Sequence, residues 1–149
     1  MPLSTSQETI LNQITQGVPE EATWCIFGST DSVLRGLDDD PSDIDILATE
    51  EAAKQFRELF SGGFVKTQEV GHSQMDEYQV NGEEIEVIYS HSEKTHQKPL
   101  VRLDERELVT SDDRGIPMLP LHPLIHAYRQ IDKNETANRL ESRFELSGA

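Results

Sequence analysis

Two aspartates, Asp43 and Asp45, stand two residues apart in the segment DIDILA, where acids alternate with apolar residues. That period belongs to a strand with two different faces, so both carboxylates point one way while Ile44 and Ile46 point the other. Carboxylates roughly 7 Å apart along a strand repel each other and contribute little to a core. They suit a divalent cation instead, since Mg²⁺ takes oxygen ligands, often one or two carboxylates together with substrate phosphates. Upstream, TWCIF runs into Gly28 and Ser29. A glycine at a strand end lets the backbone approach a ligand closely. Ser29 would open a helix whose free N–H groups suit an anion such as a triphosphate. A further acid, Glu86, lies in EIEVI among Ile85, Val87 and Ile88. Glu84 shares its face, and spacing alone leaves open which of the two would join the aspartates.

The elements that must position these residues are marked along the chain. Ile10, Leu11 and Ile14 have helical spacing within residues 4–17, with Gly17 as a stop. TWCIF reads as a buried strand, residues 30–35 as a short helix closed by Gly36, and LDDDPS as an acidic loop. EEAAKQFRELF is an amphipathic helix with acids in its first turn, and Gly62 and Gly63 end it. FVKTQEV, MDEYQV and EIEVIYS read as strands, the last two joined at Asn81-Gly82, a strong tight-hairpin signal. Residues 91–101 read as an exposed loop, 103–110 as a strand and RGIPMLP as a connector. Helices are expected at about 122–131 and 134–145. The order α-β-α-β-α-β-β-β-α-α predicts one α/β (α+β) domain over 1–149, a mixed sheet flanked by helices lying mostly to one side.

Composition narrows the function classes. Twenty-eight Asp and Glu oppose 13 Lys and Arg, a formal net charge of −15. A broad basic face for a nucleic-acid backbone is therefore disfavoured. The acids are spread from end to end, a pattern expected of a halophilic protein whose charges are screened over about 3 Å in molar salt. No apolar run approaches the roughly 20 residues that cross a bilayer. The opening MPLSTSQETI has neither a basic flank nor an apolar stretch, so no secretory leader is expected. The lone Cys25 forms no internal disulfide, and a cytoplasmic location is the expectation.

The run GST…SDIDIL, then a helix, then a hairpin ending in IEVI, resembles the nucleotidyltransferase superfamily. That superfamily includes small "minimal" archaeal and bacterial members and antibiotic-modifying enzymes. IPMLPLHPLIHAYRQI resembles the helix that follows the catalytic sheet in these proteins. The resemblance covers nearly the whole chain, and its specific part is the core motif. It implies the nucleotidyltransferase fold and transfer of a nucleoside monophosphate from an NTP, ATP by analogy, to a hydroxyl acceptor. Carried over, Gly28 and Ser29 would position the β- and γ-phosphates. Asp43 and Asp45 would hold two Mg²⁺ ions, and Glu86 would hold the ion that activates the acceptor or serve as general base. The acceptor could be a small molecule or a side chain on a partner protein, such as the toxin paired with antitoxin members of this group. A catalytically silent module that binds without turnover is the alternative reading.

Asp31 departs from the pattern. An acid near the start of the phosphate-facing helix would repel a triphosphate unless it points away or meets a metal. Arg35, Lys66, Arg102 and Arg129 are the candidate basic partners for the phosphates. His122 and His126 have a zinc-compatible spacing but no third ligand, and His91 and His96 lie in a polar loop. Cys25, inside an apolar strand, reads as a buried thiol rather than a nucleophile.

Overall fold

The computed structural model describes residues 3–37, 39–70, 73–89, 108–110 and 115–144. In chain order the elements are α1 (Thr5–Gly17), β1 (Trp24–Phe27), α2 (Gly28–Leu34), β2 (Asp43–Ala48) and α3 (Glu50–Leu59). A 3₁₀ turn (Ser61–Gly63), β3 (Phe64–Val70), β4 (Ser73–Val80) and β5 (Glu83–Tyr89) follow. β6 (Val109–Thr110), β7 (Pro117–Met118), α4 (Leu121–Gln130) and α5 (Asn134–Arg143) complete the set. The sheet runs β3-β4-β5-β2-β1-β7-β6. It is mixed: β2 pairs parallel with β5 and β1 with β7, while β1–β2, β3–β4, β4–β5 and β6–β7 are antiparallel.

Local chemistry sets the boundaries. The Ser4 side chain accepts from the Gln7 amide while the Gln7 side chain accepts from the Ser4 amide, a reciprocal cap that starts α1. Thr49 caps α3 by accepting from the Ala52 amide, with Glu50 and Glu51 in the first turn, where the helix dipole favours acids. The β4–β5 hairpin turns through Asn81 and Gly82 at φ +52° and +78°, values that the expected tight turn requires.

Two apolar clusters sandwich the sheet. On one face Ile10, Leu11 and Ile14 of α1 and Ala52, Ala53 and Phe56 of α3 pack on Trp24, Ile26, Ile44, Ile46, Ile85 and Val87. On the other, Leu124, Ala127 and Tyr128 of α4 and Ala137 and Leu140 of α5 pack on Cys25, Phe27 and Leu47. Helices therefore cover both faces, rather than mostly one as the element order suggests. The reason lies in β1, all four residues of which are buried; a strand apolar on both sides needs cover on both. The expected connector RGIPMLP contains β7, whose Met118 pairs with Ile26. Of the strand expected over 103–110, β6 covers Val109–Thr110, and residues 103–107 lie outside the described residues, as does the loop expected at 91–101. No helix among the described residues is long and apolar enough to cross a membrane.

Candidate active site

The acids gather because of one register. Parallel pairing of β2 with β5 sets Asp45 opposite Glu86 and Asp43 opposite Glu84. Ile44, Ile46, Ile85 and Val87 point into the α1–α3 cluster, so the alternating acids point to the other face. There Asp43, Asp45 and Glu86 each offer a carboxylate oxygen, all within 4.8 Å of one another. Glu86, not Glu84, completes the trio. Glu84 contributes its negative charge to Asp45 and Glu86 from the neighbouring register position.

Three half-buried carboxylates this close are electrostatically costly. Burial first, and repulsion from Asp43 second, push Asp45 up to about 7, against the pull of Lys133. Burial and then repulsion from Asp45 and Asp43 push Glu86 up to about 7 as well. Asp45 Oδ1 is buried and has no hydrogen-bond partner. A divalent cation would answer both features, neutralising the cluster and coordinating the orphaned oxygen. An all-carboxylate donor set is the chemistry of Mg²⁺ or Mn²⁺ rather than of a thiolate- or imidazole-loving metal.

Beside the acids, β1 ends and the chain bends through Gly28 at φ +69°. A Cβ there would lie 2.5 Å from Asp45 Oδ2 and 3.3 Å from Asp45 Cβ. Glycine is thus required twice, by the left-handed backbone and by the close approach to Asp45. Ser29 follows at the start of α2, half-buried. Thr30 Oγ1 donates to the Asp43 carbonyl at 3.2 Å, tying α2 to β2. Tyr128 Oη donates to the Gly28 carbonyl at 3.1 Å, tying α4 to the same bend.

This fold has counterparts among solved structures. A candidate nucleotidyltransferase from Thermotoga maritima is similar with a TM-score of 0.71 and 22% identity, over 97% of this chain and 96% of that one. The chain has the nucleotidyltransferase fold. ANT(2'')-Ia, in a crystal structure with adenylyl-2''-tobramycin, is similar with a TM-score of 0.56 and 15% identity, over 93% and 95% of the two chains. Its solution structure, described as that of an antibiotic-resistance factor, gives 0.55 and 14% over 97% and 94%. No protein-family model matches the chain, and no curated protein sequence does.

Within the nucleotidyltransferase fold, Asp31 does not face the site. Its side chain is fully buried, and Arg35 Nε donates to Asp31 Oδ2 at 2.9 Å. Burial pushes Asp31 up to about 6, against the pull of Arg35. Arg35 also donates to the Leu119 carbonyl, so it is committed inward. Arg129 is held by Asn138 and Glu141. Lys66 stands 3.8 Å from Glu77 on the edge strand β3, and Arg102 lies outside the described residues. Among the described residues, a positive charge that acts on Asp45 is that of Lys133, which no sequence signal marks. It is an exposed lysine between α4 and α5. His122 and His126 are both exposed on α4, and His91 and His96 lie outside the described residues. Cys25 is buried, and burial followed by repulsion from Asp31 pushes its thiol well above the ordinary range, as an unreactive core cysteine requires.

Proposed function

We propose that the chain is a Mg²⁺-dependent nucleotidyltransferase that moves a nucleoside monophosphate from an NTP, ATP by family analogy, to a hydroxyl acceptor. The observation that carries this reading is the meeting of Asp43, Asp45 and Glu86 within 4.8 Å beside the Gly28 bend, within a nucleotidyltransferase fold. Two bound Mg²⁺ ions would supply stabilisation of both the attacking and the leaving oxygens of an in-line displacement. Asp43 and Asp45 would hold both ions. Glu86, from the neighbouring strand β5, would hold the one nearest the acceptor or take the acceptor's proton. The bend at Gly28 and Ser29 would orient the β- and γ-phosphates, and Lys133 would offset their charge.

The acceptor is a hydroxyl on a small molecule or on a partner protein, such as a toxin; the ANT(2'')-Ia complex holds an adenylylated antibiotic. The buried, unpaired Cys25 fits a reducing cytoplasm, and the net charge of −15 fits a protein that works in molar salt. Unchanged stability between low and molar salt, followed by circular dichroism, would count against the halophilic reading. The functional reading is tested with ATP labelled at the α-phosphorus. Pyrophosphate release and transfer of label that need Mg²⁺ and vanish in Asp45→Asn support it. Nucleotide binding without turnover in any acceptor extract would favour a binding module instead.

A further inference from the structure

Tyr128 stands 100 residues from Gly28 in sequence and reaches it across the α4 face of the sheet. It is 1% exposed, with its ring against Phe27 at 4.8 Å between centroids. The ring's contact with Phe27 is one that a phenylalanine would keep, so that packing does not account for the hydroxyl, which meets the polar groups of α2. Buried hydroxyls as a rule find partners, and this one donates to the carbonyl of Gly28, the residue at which an added Cβ would lie 2.5 Å from Asp45 Oδ2, with the Ser32 side chain also interacting with it. The main-chain carbonyl of Tyr128 is engaged too. It accepts from the Lys133 amide at 2.8 Å and the Ile131 amide at 3.3 Å, closing a turn in which Asp132 has φ +62°. One residue thus fixes the Gly28 bend with its side chain and the turn carrying Lys133 with its backbone.

We infer that Tyr128 is a positioning residue: its hydroxyl fixes the Gly28 peptide, and through it the carboxylate of Asp45, in the arrangement that receives a nucleotide. This rests on the function proposed above. Freed from the hydroxyl, the bend can rotate away from Asp45, and the first turn of α2 loosens with it. The ring would still hold the apolar contact with Phe27, so the loss is local.

The test is Tyr128→Phe, with Tyr89→Phe as control, because the Tyr89 hydroxyl bonds to Asp76 Oδ1 at 3.3 Å, away from the acids. In ligand-free protein, amide hydrogen exchange at Asp31 and Ser32 of α2 should quicken about 10-fold in Tyr128→Phe, as expected from losing one buried hydrogen bond, with β2 unaffected. Mn²⁺-dependent binding of a non-hydrolysable ATP analogue should weaken by a similar factor. Tyr89→Phe should change neither. Unchanged α2 exchange in Tyr128→Phe would overturn the inference, as would faster exchange with undiminished analogue binding. An unaltered protein that binds Mn²⁺ but no analogue would strike the proposed function instead, and the exchange data would still decide whether Tyr128 fixes the bend.

Discussion

Replacing Gly28 by alanine tests the geometry of the site quantitatively, because the protein contains its own control. Gly28 and Gly82 both have left-handed backbones, at φ +69° and +78°. An L-residue in that region costs about 1–2 kcal/mol. At Gly82 nothing lies within 4 Å of an added Cβ, so Gly82→Ala should lose that amount and no more. At Gly28 the added Cβ would also sit 2.5 Å from Asp45 Oδ2 and 3.3 Å from Asp45 Cβ. Overpacking of this kind costs about 1–3 kcal/mol, which gives about 2–5 kcal/mol in total. Urea unfolding of both variants measures the difference. Calorimetric titration with Mn²⁺ measures its consequence, since relief of the clash requires the Asp45 carboxylate to move. Metal affinity should fall about 10-fold or more in Gly28→Ala and hold in Gly82→Ala. Equal losses of stability with unchanged Mn²⁺ binding in both would refute the close approach of Gly28 to Asp45.

The remaining expectations concern the neighbours of that bend. Glu86→Gln should weaken Mn²⁺ binding about 10-fold or more while Glu84→Gln changes it little, because only Glu86 joins the trio; the reverse order in calorimetry would reassign the third ligand. Lys133→Ala should weaken binding of a Mn²⁺–ATP analogue about 10-fold without weakening Mn²⁺ alone, and a loss of both would place Lys133 in a structural role. Asp31 has its folded value raised from 3.8 to about 6, so the folded state holds a proton that the unfolded chain has released between those values. Stability relative to Asp31→Asn should therefore fall as pH rises from about 4 to about 6, by at most about 1.4 kcal/mol per pH unit. Urea midpoints across that range check the sign, and a rise would contradict the buried placement of Asp31.

The site was legible in the sequence where local rules govern it. Asp43 and Asp45 announce a shared face through strand alternation, Asn81-Gly82 announces the hairpin, and Gly28 announces a bend. What stayed open depended on long-range register and packing. Whether Glu84 or Glu86 joins the aspartates differs by two residues on one strand face, and only the pairing of Asp45 with Glu86 decides it. A two-residue strand such as β7 is too short to show any alternation, so it reads as a connector. Asp31 looks like an exposed acid at a helix start until Arg35, four residues on, is seen to hold it inside. Tyr128 lies in the stretch that resembles the helix after the catalytic sheet, but nothing in that stretch marks its hydroxyl as the partner of Gly28, and Lys133, between α4 and α5, carries no motif. The cover on both faces was foreshadowed in TWCIF, whose unbroken apolar run leaves no side for water.

Diffraction from crystals soaked in Mn²⁺ with a non-hydrolysable ATP analogue examines the carboxylate trio most directly. An anomalous peak is expected against Asp43 and Asp45, with Glu86 beside it and the triphosphate against Gly28 and Ser29. Mn²⁺ bound elsewhere, or a trio that stays empty while the analogue binds, would contradict that placement.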